Sequence, residues 1–365
     1  MPSTRPDMEF VDGVCSACIN FKKRAEIDWA DRERDLIRLL ERHPRRNGYD
    51  CIVPSSGGKD SHWQVLKLIE LGAKPLVVTA RTCMSTELGL RNIDNLSRFA
   101  DTQIVDYEPT ARARLNVLGQ DLVGDISWPE HVAIFSAPFR VAAKGGPKLI
   151  FYGECPQREY GGPLSSPTDR MTKAWIMEFG GHLGLRPADM IGQLSLTAAD
   201  MEPYQLPADE EMERIDARFL GAFYPWNSHE NAAVAVRNGM TVPAQPPSIG
   251  NWWTHENLDN AQTGIHDFMG YVKYSYGRLC AQISVDIRYG LISRAEAIDV
   301  VRRRDGAFPT SYLGKSVDDV CEHIGVSFDW LMRSVDRFMN KSLFGKVENR
   351  RPIPWEFCDE EADAA

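Results

Sequence analysis

From residue 51 onward, short apolar runs alternate with stretches whose apolar residues recur every three or four positions. The runs at 51–54, 74–79, 103–107 and 148–153 are short, rich in Val, Ile, Leu and aromatic residues, and predict four strands. Between them the spacing predicts helices over 62–71, along Leu88, Leu90, Ile93, Leu96 and Phe99, and over 131–143. Short strands alternating with helices predict an α/β fold, a parallel sheet with helices on both faces. Such a sheet binds ligands outside the carboxyl ends of its strands, near a switch in strand order. Past residue 155 the pattern changes. Loops rich in Pro and Gly cover 156–168 and 241–251. The later apolar positions, Ile265, Phe268, Tyr271, Val272 and Tyr276, then Val317, Val320, Ile324, Leu331 and Phe338, keep helical spacing. The expected organisation is a charged N-terminal segment over 1–45, an α/β domain over 46–155, a mainly helical C-terminal region over 156–350 serving substrate or partner, and an acidic tail over 351–365.

Composition narrows the function classes. The 365 residues are 43% hydrophobic and 25% charged, ordinary values for a chain that buries a core, and the net charge is -9. An acidic balance without clustered Lys and Arg argues against a nucleic-acid partner. The run Arg302-Arg303-Arg304 is short, is followed by Asp305, and reads as a solvated helix end. No apolar run is long enough to cross a membrane and the N-terminus lacks a signal-peptide core, so no membrane partner is expected and a cytoplasmic location is. The eight cysteines, at 15, 18, 51, 83, 155, 280, 321 and 358, are scattered, as reduced thiols would be.

The first strand breaks into Ser55-Ser56-Gly57-Gly58-Lys59-Asp60-Ser61 just ahead of a helical pattern. Adjacent glycines let backbone N–H groups crowd round an anion at a helix N-terminus, where unpaired donors and the dipole already favour negative charge. Ser56 and Ser61 add hydroxyl donors, Lys59 adds a phosphate clamp, and Asp60 can hold the Mg2+ that accompanies a nucleotide. Asp60 follows Gly58-Lys59 where a Walker A loop has Ser or Thr. The stretch resembles instead the SGGxDS signature of the PP-loop ATP pyrophosphatases, of adenine nucleotide alpha hydrolase-like fold. The resemblance implies cleavage of ATP between its α and β phosphates and activation of an oxygen as its adenylate. The ATP-binding set is then Ser55, Ser56, Gly57, Gly58, Lys59, Asp60 and Ser61, with Thr79, Gly153 and Glu154 closing two other strands on the same crevice. Lys59 and Asp60 are the catalytic pair, and Glu154 is a second metal ligand, an adenosine contact or a solvated strand end.

Other segments mix polar and aromatic residues. Cys15-Ser16-Ala17-Cys18 has the spacing of half a zinc site, and no second such pair occurs, so Zn2+ and bare thiols both stay open. Trp128, His131, Arg140, Arg158, Tyr160, Trp226, Asn251, Trp252, Trp253, His266 and Arg288 are candidate contacts to an anionic acceptor, Arg158, Tyr160, His266 and Arg288 foremost. Each also has a structural reading; Trp252-Trp253 can simply plug a helical layer. His62, directly after the loop, is a candidate phosphate neighbour.

Several segments together resemble the N-acetyl sugar amidotransferases of bacterial surface-polysaccharide synthesis. They are the opening Met1-Pro2-Ser3-Thr4-Arg5-Pro6, Gly13-Val14-Cys15-Ser16-Ala17-Cys18, Ile27-Asp28-Trp29, the Ser55–Ser61 loop, Thr86-Glu87-Leu88-Gly89, Gly153-Glu154 with Glu159-Tyr160-Gly161-Gly162, Gly264-Ile265-His266-Asp267 and Asp286-Ile287-Arg288-Tyr289-Gly290. The resemblance implies conversion of an acetamido group on a nucleotide-activated sugar into an acetamidino group, with ATP, Mg2+ and ammonia, for lipopolysaccharide O-antigen or a related glycan. Family members usually carry another C-x2-C just before Met-Pro, which implies a start inside a four-cysteine zinc knuckle with Cys15 and Cys18 as its remnant. No cysteine sits in a G-x-C-x-G elbow, Cys155 included, so ammonia is expected from a partner. The resemblance implies a glutaminase and an ammonia-channelling barrel similar to the two subunits of imidazole glycerol phosphate synthase. Two other readings share the loop. A tRNA-modifying PP-loop enzyme could use Cys83 or Cys155 as sulfur carriers, against the acidic charge balance. A non-catalytic ATP sensor would have little use for Asp60 beside the glycines.

Overall fold

The computed structural model describes residues 1–165 and 169–358; positions 166–168 of the expected 156–168 loop and 359–365 of the expected tail lie outside the described residues. Six strands form the main sheet: β1 Cys51–Pro54, β2 Pro75–Ala80, β3 Thr102–Val105, β4 Leu149–Tyr152, β5 Arg170–Met171 and β6 Asp216–Phe219, in the order β3-β2-β1-β4-β6-β5. All neighbours pair in parallel except β5, which runs antiparallel to β6. The chain steps outward from β1 to β3, then returns to place β4 on the other side of β1. Strand order therefore reverses between β1 and β4, and the loops after these two strands open on the crevice where such folds bind ligands.

Alternation along the strands sorts the core into two layers. Val53, Val77 and Phe151 face Leu36 and Leu39 of the helix Trp29–Arg42 and Val65 and Leu68 of the helix Lys59–Glu70. Ile52, Val78 and Ile150 face Ala137, Phe139 and Ala142 of the helix Trp128–Ala143. The expected α/β class and the helical C-terminal region are both present. That region contains the helices Thr263–Tyr274, Arg278–Arg288, Arg294–Arg304, Val317–Ile324 and Phe328–Phe338. It packs on the sheet layer through Val117 and Ile126, which join Phe268, Met269, Val320 and Leu331 in one cluster.

Elements the pattern did not reveal have physical reasons for being hidden. In β6, Asp-Ala-Arg-Phe, only Ala217 and Phe219 are buried, too few to stand out. The helix Pro109–Val123 is capped by Glu108, whose carboxylate accepts from the Thr110 and Ala111 N–H groups, and ends at Gly124 in the left-handed region. Its inward face carries Arg112, Asn116 and Gln120, all buried, so polar residues interrupt the apolar stripe. The N-terminal segment, expected only as charged, holds the helix Trp29–Arg42, capped by Asp28.

Arg112 is the centre of a buried polar knot. Its Nη1 donates to Glu130 Oε1 at 3.1 Å and to the Arg81 carbonyl at 2.7 Å, and its Nε donates to the Tyr204 hydroxyl at 2.9 Å. Asn116 Nδ2 donates to Glu130 Oε2 at 2.8 Å. The knot fastens two helices to the segment leaving β2. Arg112→Leu alone leaves the Glu130 carboxylate buried without its cation and is expected to cost about 3–5 kcal/mol in urea unfolding. Adding Glu130→Leu should recover much of that loss, and a double variant as weak as the single one would contradict this account.

Candidate active site

The loop after β1 is shaped by local contacts. The Ser55 N–H donates to the Val78 carbonyl at 2.9 Å, extending the pairing with β2 by one residue before the chain turns. Gly57 has φ +77, and a Cβ there would stand 2.8 Å from both the backbone nitrogen and Cγ1 of Ile93, so no other residue fits. Its N–H donates to Ser55 Oγ at 2.9 Å. Gly58 caps the helix Lys59–Glu70 without any side-chain acceptor, leaving the first-turn N–H groups to a ligand or water. His62, expected near phosphate, is fully buried with both ring nitrogens engaged: Nδ1 donates to the Gly58 carbonyl at 3.0 Å and Nε2 accepts from Asn95 Nδ2 at 3.0 Å. Asn95 also donates to the Asn238 carbonyl at 3.0 Å. Burial pushes the His62 pKa down, so a neutral imidazole braces the loop from behind.

Four charged side chains meet at the mouths of β1 and β4. Lys59 is buried, with Nζ 2.6 Å from Asp60 Oδ2 and 3.6 Å from Glu256 Oε1. Burial pulls its pKa down, but Asp60, Glu256 and Glu154 together more than reverse this and hold the ammonium charged. Asp60 Oδ1 accepts from Asn231 Nδ2 at 2.9 Å. Burial first, then Asp60, push the Glu154 carboxyl up from 4.5 to about 7, against the pull of Lys59. Glu256 feels burial upward, but Lys59, Arg278 and a hydrogen bond from Gln282 bring it below the ordinary value. Beside it, burial and then Lys59 push His255 down to about 4, so this ring adds no charge.

Glu256 belongs to a segment of the C-terminal region laid across the crevice. Gln282 Oε1 accepts from the Trp252 and Trp253 N–H groups at 2.7 and 3.1 Å, while its Nε2 donates to Glu256 Oε2 at 2.6 Å. Both indoles donate to Asp286, which also bonds His229 at 2.7 Å, so the tryptophan pair is structural. Further along, the Thr86 N–H donates to the Asp259 carbonyl at 3.0 Å, and Gly89 lies so close that a Cβ would stand 2.5 Å from Asp259 Cα. This strap narrows the cleft between Ser56, Thr79 and Asp259 to about 10 Å³. Thr79 Oγ1 is buried there without a hydrogen-bond partner.

A larger pocket, about 300 Å³, adjoins the cluster. Tyr160 and Arg278 line it and also lie close enough to Glu256 to bias one another's charge. Arg278 is paired with Asp267 at 2.9 Å. Arg5 and Lys273 meet carbonyls and a phenol: Arg5 donates to Gly161 O and Tyr276 Oη, Lys273 to Val123 O. The lining thus carries three cations, Arg5, Lys273 and Arg278, alongside the carboxylates Asp125 and Asp267.

Of the sequence-derived acceptor residues, His131, Tyr160 and His266 line this pocket. Arg158 lies in a separate hollow with Ile27, Asp28, Arg32 and Asp169. Arg288 donates to the Glu159 carbonyl at 2.7 Å and supports the segment carrying Tyr160; Arg24 pairs with the Glu159 carboxylate, and the Gly162 N–H donates to Ser16 Oγ at 3.3 Å. Trp128 donates to the His182 carbonyl, Arg140 pairs with Glu202, and the Trp226 ring packs 3.2 Å from where a Gly153 Cβ would stand. Cys15 and Cys18 face each other, the hydrogen bond from Cys18 lowering the Cys15 pKa. Glu256, Asn231 and Gln282 were missed, and no motif marks them.

Residues 249–360 match a family model described as LPS biosynthesis protein WbpG-like, C-terminal domain. The match covers the strap with Glu256 and a minority of the whole chain, and it supports a place in polysaccharide biosynthesis. No match to a curated protein was found. No helix among the described residues is long and apolar enough to cross a membrane.

The raised Glu154 pKa has a measurable consequence. The folded state holds this proton more tightly than the unfolded chain, so the stability it contributes is complete below pH 4.5 and lost as pH rises through about 7. Glu154→Gln, neutral at every pH, is expected to gain on the wild type by up to about 3 kcal/mol between about pH 5 and pH 8 in urea unfolding. A difference independent of pH would contradict the assignment.

Proposed function

We propose that the protein is an ATP-dependent amidotransferase that converts the acetamido group of a nucleotide-activated sugar into an acetamidino group for lipopolysaccharide or a related glycan. The observation that carries this reading is the uncapped Gly58 helix terminus, with Lys59 and its carboxylates, next to a pocket with cationic donors that shares Tyr160 and Arg278. The match of residues 249–360 to a lipopolysaccharide-biosynthesis domain supports a sugar acceptor. An amide carbonyl is a poor electrophile, and its oxygen must become a leaving group before ammonia can replace it. Attack of that oxygen on the α-phosphorus of ATP releases pyrophosphate; ammonia then adds to the activated carbon and AMP departs with the oxygen.

The residues suit these steps. The first-turn N–H groups at Gly58 and the Lys59 ammonium bind and orient the phosphates, and the Thr79 hydroxyl, without a partner, is available to the nucleotide. Asp60 and Glu154 are the oxygen donors that would hold Mg2+, which when bound neutralises charge on the departing pyrophosphate. The cleft by Thr79 is too small for a nucleoside, so the strap over 256–261 must move when the adenosine enters. Arg5, Lys273 and Arg278 bind the diphosphate of the acceptor. No cysteine in the sequence sits in the G-x-C-x-G elbow of a glutaminase nucleophile, which supports ammonia delivery by a partner glutaminase with an ammonia-channelling barrel.

Two experiments test this reading. A Cβ at Gly58 meets only Ser56 Oγ, at 3.4 Å, so Gly58→Ala should fold normally yet lose ATP affinity in calorimetry; Asp60→Asn should lower turnover about 100-fold with a smaller effect on ATP affinity. Unchanged ATP binding in Gly58→Ala would rule out the phosphate role. The second incubates the protein with ATP, Mg2+, an ammonium salt and UDP- or CMP-linked acetamido sugars. Mass spectrometry should find the loss that exchanging a carbonyl oxygen for an imino group produces. Isotopically labelled glutamine should label the sugar only when a glutaminase is added, and label transfer by this chain alone would refute the partner requirement.

A further inference from the structure

On the wall of the 300 Å³ pocket, Asp125, His131 and His266 converge from separate elements. Asp125 sits in the turn between the helices Pro109–Val123 and Trp128–Ala143, His131 in the first turns of the second helix, and His266 near the start of the helix Thr263–Tyr274. Asp125 Oδ1 lies 2.8 Å from His266 Nδ1, and Oδ2 lies 3.0 Å from His131 Nδ1. The His131 contact lacks the alignment a hydrogen bond requires, leaving that buried nitrogen unsatisfied. The carboxylate is buried, whereas the two imidazoles are 27% and 29% exposed and cross at 73° with centroids 4.8 Å apart.

We propose that Asp125, His131 and His266 bind one divalent transition-metal ion, zinc being best suited, with an open coordination position facing the pocket. Two imidazoles and one carboxylate are the donor set of mononuclear sites that keep a position for water or substrate, and imidazole disfavours magnesium or calcium. One ligand atom from each residue lies within 4.8 Å of the other two. Ligands round a tetrahedral ion at ~2.1 Å stand about 3.4 Å apart, so small rotations of the partly exposed histidines would bring the set onto an ion. The surroundings hold Asp125 and confine His131 on one side. The Ser127 N–H donates to Asp125 Oδ1 at 2.9 Å, and Gly181, at φ +76, packs so closely that a Cβ would stand 2.9 Å from His131. The open position takes an oxygen ligand, water or a phosphate or carbonyl oxygen of whatever fills the pocket. Metal binding here does not depend on the ATP reading.

The test uses the full chain carrying Cys15→Ser and Cys18→Ser, stripped of metal and titrated with Co2+ and Zn2+ by calorimetry and absorption spectroscopy. One equivalent should bind, the cobalt form showing d–d bands without a thiolate charge-transfer band. His266→Ala and Asp125→Asn in that background should weaken binding at least tenfold. Should either variant fail to fold, the cobalt spectrum of the double-serine protein decides alone. Absence of a bound equivalent in that protein, or affinity unchanged by His266→Ala in a folded variant, would overturn the proposal and leave a hydrogen-bonded His-Asp-His group.

Discussion

The buried ammonium of Lys59 is the constraint to which the rest of the site answers. An ammonium taken out of water is tolerated only when opposite charge surrounds it closely, and here Asp60 and Glu256 lie beside it while the Glu154 carboxyl adds to the same field. They arrive from three places: Asp60 from the same helix turn, Glu154 from the end of β4, and Glu256 from the C-terminal region. Burial and Asp60 push the Glu154 carboxyl up against the pull of Lys59, whereas Lys59, Arg278 and Gln282 together hold Glu256 ionised. The sheet fixes the first two, because the switch in strand order puts β1 and β4 side by side. Only the strap supplies the third.

The strap is held by polar anchors as well as by burial of Trp253 and Leu258. Gln282 grips it at Trp252, Trp253 and Glu256, and Asp286, one helical turn on, collects both indole N–H groups. The helix Arg278–Arg288 thus orients Glu256 through Gln282, carries the pocket residue Arg278, and supports the segment with Tyr160 through Arg288. The Ser55–Ser61 loop and the pocket are two ends of one polar framework.

Much of the α/β part was legible because its apolar runs follow the periods of buried strands and helices. The loop was legible because paired glycines ahead of a helical pattern have few other uses, and the +77° φ of Gly57 is the physical form of that signal. What was hidden falls into two kinds. The helix Pro109–Val123 was masked because Arg112, Asn116 and Gln120 occupy its inner face, and β6 because four residues with two buried give no period. Glu256, Asn231 and Gln282 were hidden because their roles arise only when distant segments meet, and nothing adjacent to them in sequence differs from a solvated loop or helix. His62 misled for the opposite reason: proximity in sequence to the loop placed it behind the loop.

The distance along the chain between Lys59 and Glu256 bears on how the molecule matures. Contacts between residues so far apart close late, after the local strand-helix units have formed, because the intervening chain must first lose its freedom. As the polypeptide emerges from a ribosome, the sheet can assemble around β1 and β4 while Lys59 still lacks one of its counter-charges. The crevice is thereby left uncovered until the strap over 256–261 has been synthesised, so emergence of the strap sets the timing of site assembly.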